Sequence, residues 1–145
     1  MQNIYEQLKI PEEDRGTSIG KEQGEFIYEF LTKNNLKKTL EVGLAYECST
    51  AYIISATKSP HIAIDPYGEI YDNLGLKNLK KLGLDRFLIH KNAPSHIALP
   101  NLLQEDVHLE FVFIDGGHKF DEIFIDWYYS DLLLEKNGYV LFDDS

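Results

Sequence analysis

Two apolar runs near the end of the chain, each followed at once by acidic residues, constrain the fold most strongly. Phe111 to Ile114 is a continuous apolar run, which is typical of a strand buried on both faces, and it stops at Asp115. Tyr139 to Phe142 is a second apolar run, and it stops at Asp143 and Asp144. In an open parallel sheet, ligands bind beyond the carboxyl ends of the strands. The sequence therefore predicts a site on this rim of the sheet.

The segment between the two runs predicts a helix. Apolar side chains recur there at i, i+3, i+4 and i+7 spacing, namely at Phe120, Ile123, Phe124 and Trp127. Asn137-Gly138 is a typical helix end, so we expect the helix to run up to it. We interpret the neighbouring aromatic side chains as divided between core and surface rather than as a ligand-binding box: Trp127, Tyr128 and Tyr129.

The rest of the chain alternates between strand and helix signals. Three further strands are predicted at Thr39–Val42, Ile62–Ile64 and Phe87–Ile89. The predicted helices run over about 18–34, 49–57 and 71–82, and a fourth opens at Pro94-Ser95. Such alternation predicts an α/β fold, with a parallel sheet covered by helices on both faces. We expect one domain over residues 18–145, preceded by an N-terminal segment, 1–17.

The composition narrows the classes of partner and compartment. Lys and Arg number 14 against 24 Asp and Glu, so the net charge is -10, which argues against nucleic acid and favours a small neutral or cationic substrate. Cys48 is the only cysteine, which excludes an internal disulfide and suits a reducing compartment. No apolar run approaches the length of a membrane span, and the N-terminus lacks a signal-peptide pattern. We therefore predict a cytoplasmic protein.

The turn after the first predicted strand is a candidate anion site. The strand runs into Gly43, and the following helix would offer free N–H groups to a carboxylate or phosphate. Asp65 ends the second strand, where an acid can accept hydrogen bonds from a ribose diol. Both have plainer interpretations, Gly43 as a tight turn and Asp65 as a cap. A nicotinamide-dependent oxidoreductase is disfavoured, because its fingerprint needs three glycines.

Four segments in this order carry a family resemblance: LEVGLAYECST, IAIDPY, FVFIDGGH and LLLEKNGYVLFDD. Together they resemble the class I S-adenosylmethionine-dependent methyltransferases, and most of all the small-molecule O-methyltransferases of the macrocin and cephalosporin-tailoring kind. The resemblance runs from about Ser18 to Ser145. It implies a Rossmann-like, doubly wound parallel sheet, apparently truncated after the fifth strand. It also implies methyl transfer to a small-molecule hydroxyl group, with S-adenosylmethionine as cofactor and magnesium assisting.

The resemblance also implies where the cofactor binds. The methionine end would be lined by Glu41, Gly43, Ala45 and Ser49, and the family's contact to the cofactor carboxylate falls on Ser49. Asp65 would hold the ribose hydroxyls. Ser95 and His96 match the positions that flank the adenine, and Asp115 is counted among the cofactor contacts as well.

The same resemblance places the metal and the catalytic groups. Asp115, Asp143 and Asp144 match the acids that bind magnesium in metal-dependent members, and Asp115 and His118 are the implied catalytic residues. Magnesium prefers oxygen ligands and lowers the pKa of a bound hydroxyl, whose proton a histidine can remove. Plainer interpretations remain open: Asp115 and Asp144 as caps, Asp143 as a structural acid, and His118 as a residue at the start of its helix.

Two departures from the family pattern favour a rival hypothesis. Glu47 occupies a position that usually carries a small residue, and the family usually adds two more strands after the fifth. An exposed edge strand invites pairing with another chain. The rival is therefore a non-catalytic Rossmann-like module that forms a homodimer through its edge strand.

Overall fold

The computed structural model of the chain describes residue 4 and residues 21–43, 48–65, 77–114 and 120–143. Its strands are β1 (Thr39–Val42), β2 (His61–Ile64), β3 (Leu88–Lys91), β4 (Leu109–Ile114) and β5 (Leu134–Phe142). Its helices are α1 (Lys21–Lys33), α2 (Cys48–Thr57), α3 (77–82), α4 (Ser95–Gln104) and α5 (Phe120–Leu133). None of these described helices is long and apolar enough to cross a membrane.

The five strands form one parallel sheet in the order β3-β2-β1-β4-β5. The chain starts in the middle, winds outward to β3, and then returns to the other side of β1. This is the doubly wound arrangement expected from the alternating pattern, and the α/β prediction is confirmed. The order reverses between β1 and β4, and such a switch point is where open α/β sheets bind ligands.

Each face of the sheet has its own apolar core, because side chains alternate along the central strands. Phe111 and Phe113 belong to the core under α1 and α2, together with Ile27 and Tyr52. The other core lies under α4 and α5, and its buried members include Leu40, Val42, Leu99, Leu102, Val112, Ile114 and Leu133. Each large apolar side chain buried in this way stabilises the fold by about 1.5–3 kcal/mol. The two cores make the central strands a rigid base for the rim above them.

The exposed face of α5 differs from the expected one. Phe124 is 52% exposed and Trp127 43% exposed, whereas Asp126, Ser130 and Leu133 are buried. The helix turns these last three residues, at i, i+4 and i+7, towards the rest of the fold. The aromatic stripe therefore lies outside, where the Phe124 ring is 6.3 Å from that of Trp127 and 6.4 Å from that of Tyr128. Helical spacing thus predicted the helix correctly, although the stripe of Phe124 and Trp127 faces outward. The expected division of the neighbouring aromatic residues is confirmed, since Tyr129 packs against a core cluster while Trp127 and Tyr128 are exposed.

The predicted end of α5 is also wrong. The helix ends at Leu133, and β5 begins at once, with Leu134 paired to Leu109 and Tyr139 paired to Phe111. Because β5 uses more residues than β4 over this interval, the extra ones bulge out, and Asn137 takes a left-handed φ of 72°. The Asn-Gly pair that suggested a helix end belongs to this irregular part of the strand.

Smaller differences occur at β3 and α1. Phe87 lies in a short 3-10 helix, Asp85–Phe87, so β3 begins one residue later than expected. In α1, Ile27 is buried, but its neighbour Phe26 is largely exposed. Phe30 lies between these extremes and packs its ring against those of Phe111 and Tyr139.

Candidate functional site

The carboxyl ends of the strands form a common rim. Ile64 and Ile114 both pair with Val42, so β1, β2 and β4 end level with one another. Just beyond these ends, Gly43 N–H donates to the Ile64 carbonyl at 2.8 Å and Asp143 N–H donates to the Ile114 carbonyl at 3.0 Å. The backbone thus brings the predicted positions Gly43 and Asp143 to one edge of the sheet.

The chain leaves β1 through a sharp turn at Gly43. Its φ of 94° is one that residues with a Cβ rarely adopt. The following helix, α2, begins at Cys48, so its first N–H groups lie beyond the end of β1. A helix N-terminus carries partial positive charge and binds anions. The predicted contact Ala45 lies between Gly43 and α2, outside the described residues.

A buried hydrogen-bond network lies directly below this turn. Glu41 accepts a hydrogen bond from the Ser49 hydroxyl at Oε2 and another from the Thr50 hydroxyl at Oε1. His61 Nε2 lies 2.9 Å from the same Oε1, and His61 Nδ1 lies 2.7 Å from Thr39 Oγ1. All five residues are buried. We call this set, Thr39, Glu41, Ser49, Thr50 and His61, the Glu41 network.

The network explains how a carboxylate is tolerated in the apolar core. A buried carboxylate is costly unless donors surround it, and here three side chains donate to Glu41. A carboxylate has no proton to give, so Ser49 and Thr50 must be the donors. The hydroxyl proton of Ser49 is therefore used inside the protein. For an external anion, Ser49 has its backbone N–H in the first turn of α2.

Asp65 follows β2 and is buried at the rim. Its N–H donates to the Lys91 carbonyl at 3.1 Å, and its own carbonyl lies 3.3 Å from His90 Nε2. These backbone contacts fix the end of β2 against β3. They place Asp65 one strand away from the α2 turn, at the distance of neighbouring strands, about 4.8 Å. The predicted contact to ribose hydroxyls stays a prediction.

Ser95 and His96 form the first turn of α4, which follows β3. Pro94 occupies the N-cap position in extended conformation, with φ -67° and ψ 152°, and it provides no side-chain cap. The N–H groups of Ile97 and Ala98 bond to the Pro94 carbonyl. This second helix N-terminus opens on the same end of the sheet as that of α2, because both helices follow parallel strands.

Asp126, on the buried face of α5, reaches this first turn of α4. Burial raises the pKa of the Asp126 carboxyl, a hydrogen bond from Ser95 opposes that shift, Glu122 adds to it and His96 opposes it. Asp126 Oδ1 and the Ser130 hydroxyl are buried and have no hydrogen-bond partner among the described residues. Asp126 is thus a member of the candidate site that no sequence motif indicated.

The predicted acidic cluster lies only in part among the described residues. Asp143 borders a cavity of about 250 Å³ between α1 and the ends of β4 and β5. Glu22 and three phenylalanines also border it, namely Phe26, Phe113 and Phe142. Asp115, His118 and Asp144 lie outside the described residues. In the part of the chain that is described, no three His, Cys, Asp or Glu side chains converge as a metal site, so magnesium stays a prediction.

Sequence reasoning missed three members of the Glu41 network. Thr39 and Glu41 are two polar residues with a spacing of two in a strand that is otherwise apolar, so they share one face. Thr39 pairs directly with His61 across β1 and β2. The spacing was visible in the sequence, but the partner on β2 depends on the strand register. Thr50 follows the expected contact Ser49 in the first turn of α2, and no sequence pattern indicated that its hydroxyl also donates to Glu41.

A family model described as "Methyltransferase domain" matches residues 40–145, which is most of the chain. No curated protein matches the chain. The matched range begins at β1 and includes the Gly43 turn, both helix N-termini and the acidic positions. It therefore contains every residue that the sequence assigned to the site.

Many solved structures share the fold. One is an O-methyltransferase of tomaymycin synthesis from Streptomyces achromogenes in complex with SAM: TM-score 0.77, 16% identity, 97% of this chain and 70% of that chain covered. An SAH-bound methyltransferase from Podospora anserina matches with a TM-score of 0.80 and 18% identity, over 99% of this chain and 62% of that chain. An O-methyltransferase from Bacillus cereus in complex with SAH matches with a TM-score of 0.73 and 16% identity, over 82% of this chain and 54% of that chain. The chain thus spans between about half and 70% of these proteins.

Proposed function

The chain belongs to the methyltransferase-domain family, and from this membership we propose that it binds S-adenosylmethionine and transfers the methyl group to a hydroxyl of a small molecule. The observation that carries the proposal is the turn from β1 into α2. There Gly43 bends the chain and Glu41 ties the first turn of α2 to the strand through Ser49 and Thr50. Such a fixed helix N-terminus suits a carboxylate-bearing ligand.

The groups at this turn fit the amino-acid end of the cofactor. The free N–H groups of α2 can donate to its carboxylate, and the Ser49 backbone N–H is one of them. Because the Ser49 hydroxyl proton goes to Glu41, the same oxygen has lone pairs left for the ammonium group of the ligand. Gly43 has no side chain that would hinder a close approach of the sulfur.

The adenosine end would lie along the next two strands. Asp65, fixed at the end of β2, is placed to accept the ribose hydroxyl protons. Ser95 and His96 in the first turn of α4 would flank the adenine, and Asp126 would hold Ser95 from below. In this arrangement the cofactor lies next to the switch point and runs across the ends of β1, β2 and β3.

The transfer itself is a displacement at carbon. The methyl group of S-adenosylmethionine is attached to a positively charged sulfur, which leaves as a neutral thioether. His118 would take the proton of the acceptor hydroxyl while the oxygen–carbon bond forms and the carbon–sulfur bond breaks. Magnesium held by Asp115, Asp143 and Asp144 would lower the pKa of that hydroxyl and orient it.

The cavity beside Asp143 is the proposed place of the acceptor. Its aromatic walls suit an apolar group, and the carboxylates of Glu22 and Asp143 favour a neutral or cationic acceptor over an anionic one. The solved O-methyltransferases that share the fold include one in complex with SAM and one in complex with SAH, which supports the choice of cofactor. We place the reaction in the cytoplasm, since a lone cysteine suits a reducing compartment.

Calorimetric titration tests the proposal. S-adenosylmethionine and S-adenosylhomocysteine are added to the purified chain, with and without magnesium. We expect micromolar binding of both, unaffected by a chelator, followed by chelator-sensitive methylation of a hydroxylated acceptor. A folded chain that binds neither ligand would refute the proposal, and full turnover in the chelator would refute its magnesium part.

A second candidate function is self-association through β5. This strand lies at the edge of the sheet, and Tyr139 and Phe142 on it are each 42% exposed. An unpaired edge with exposed aromatic side chains can pair with a second copy. Sedimentation of the wild type and of Phe142→Lys tests it: a dimer that dissociates in the variant supports this function, and a monomeric wild type excludes it.

A further inference from the structure

We propose that His61 is a positioning residue for the amino-acid end of the cofactor, acting through Glu41 on the first turn of α2. The inference rests on the proposed function, because it assumes that this turn receives the cofactor. His61 is the first residue of β2 and is fully buried. It cannot touch a ligand at the rim. Whatever it contributes must pass through the residues it contacts.

Both nitrogens of the His61 ring are engaged. Nε2 donates to Glu41 Oε1 at 2.9 Å, and Nδ1 lies 2.7 Å from the hydroxyl of Thr39. In the neutral ring Thr39 is then the donor to Nδ1, and in the protonated ring its oxygen accepts. The strand pairing of Thr39 with His61 holds the ring in this orientation. The ring therefore offers Glu41 a fixed donor.

Glu41 links His61 to the first turn of α2. Its Oε1 is shared by His61 and Thr50, while its Oε2 takes the hydroxyl of Ser49. Without His61, a fully buried carboxylate would keep two of its three donors. The free energy of a buried charged group depends strongly on each donor, so Glu41 would reorient towards new partners. Ser49 and Thr50 would then lose their common anchor, and the first turn of α2 would lose its fixed position.

The effect should be confined to one end of the ligand. The adenosine end is assigned to Asp65 and to the first turn of α4, and neither contacts the Glu41 network in the hydrogen bonds described. Asp65 is held by its own backbone bond to Lys91, four residues along β2 from His61, or about 13 Å. Loss of His61 should therefore weaken contacts to the amino-acid part of the ligand and spare those to the nucleoside.

The experiment compares two ligands on matched variants. S-adenosylhomocysteine carries the amino-acid part, whereas 5′-methylthioadenosine lacks it. In His61→Leu we expect about a tenfold loss of affinity for the first ligand, the size of one lost charged hydrogen bond, and little change for the second. In His61→Gln, whose amide N–H can replace Nε2–H, most of the affinity for S-adenosylhomocysteine should return.

Two controls separate positioning from general destabilisation. Ile54→Val removes a methylene from a fully buried residue of α2 that lies outside the Glu41 network, and it should leave the ratio of the two affinities unchanged. Thr39→Val removes only the hydroxyl that contacts His61 Nδ1, so it tests the same chain of contacts if His61→Leu does not fold. Thr39→Val should weaken the binding of S-adenosylhomocysteine but not that of 5′-methylthioadenosine, by a smaller factor than His61→Leu does.

The outcomes distinguish this inference from the proposed function. If the wild type binds neither ligand, the proposed function fails and the inference fails with it. If the wild type binds both and the His61 and Thr39 variants weaken both equally, or neither, the function stands and the inference is wrong. Selective loss of S-adenosylhomocysteine with rescue by His61→Gln supports it.

Discussion

Asp65 is the residue whose replacement tests the nucleoside part of the site most directly. It is buried at the end of β2, and its backbone is bonded to Lys91. Asp65→Ala should weaken binding of both S-adenosylhomocysteine and 5′-methylthioadenosine by about tenfold or more, since a carboxylate bonded to two hydroxyls contributes charged hydrogen bonds. Calorimetry measures both affinities. Unchanged binding in a folded variant would show that the ribose contacts are elsewhere.

Asp126 gives a prediction about pH at the same scale. Burial raises the pKa of its carboxyl in the folded state, so the protonated form favours folding. That contribution is complete below the ordinary pKa of an aspartate and is lost as the pH rises through the raised value. Asp126→Asn should therefore be more stable than the wild type at pH 7, and the advantage should shrink towards pH 3. Urea midpoints at both pH values measure this, and an Asn variant that is less stable at pH 7 would contradict it.

Glu110 works at the junction of two elements. Its Oε1 accepts hydrogen bonds from the N–H groups of Lys37 and Lys38, at 2.9 and 3.0 Å, and so ties the segment before β1 to β4. These bonds lower the pKa of the Glu110 carboxyl. Glu110→Ala should lower the free energy of unfolding by about 1 kcal/mol at neutral pH, by analogy with the loss of a helix cap.

The sign of the pH dependence is opposite to that of Asp126. A lowered pKa gives stability that is present above the ordinary glutamate value and is lost as the pH falls through the lowered value. The difference between the wild type and Glu110→Ala should therefore vanish in acid. Glu105→Ala, at an exposed residue near the end of α4, is a matched control and should have little effect at any pH. A constant difference across the range would show that the charge plays no part.

The packing of α1 on α2 depends on a missing side chain. A Cβ placed on Gly24 would lie 2.1 Å from Tyr52 Cε2, and Tyr52 is almost fully buried. In a free helix alanine is better than glycine by about 1 kcal/mol, but here Gly24→Ala should destabilise by about 1–3 kcal/mol because the ring must move. Denaturant unfolding measures this. The double variant with Tyr52→Leu should recover part of the loss, and an alanine that stabilises would contradict the close contact.

The elements also show what a single sequence reveals. β1 was predicted with its observed bounds, because a short strand signal that runs into a glycine has few other interpretations. The stripe of Phe124 and Trp127 predicted a helix, but periodicity does not say which of two faces meets the sheet. Asn137-Gly138 is a turn signal in a helix end and in a strand bulge alike. The contact between Thr39 and His61 depends on register, which no local pattern contains.

At the scale of the whole molecule, the proposed cofactor would lie across the ends of three neighbouring strands, next to the switch point. The described residues assigned to it follow β1, β2 and β3, so binding should stabilise these strands as one unit. A ligand at a hundredfold excess over its Kd adds about 2.7 kcal/mol to the free energy of unfolding. The Tm should therefore rise with the logarithm of S-adenosylhomocysteine concentration. A Tm that is independent of the ligand would contradict the site, and homocysteine alone serves as the control.

The outward-facing side of α5 gives the protein a built-in optical reporter. Trp127 is the only tryptophan in the chain, and it lies half in water beside the Phe124 ring. One residue before it, Asp126 reaches the first turn of α4. Tryptophan fluorescence therefore comes from a single known residue. That residue lies next to the contact between Asp126 and the first turn of α4, where the adenine is expected to bind. The wavelength of maximum emission and the quenching by acrylamide can therefore report ligand binding without an attached dye.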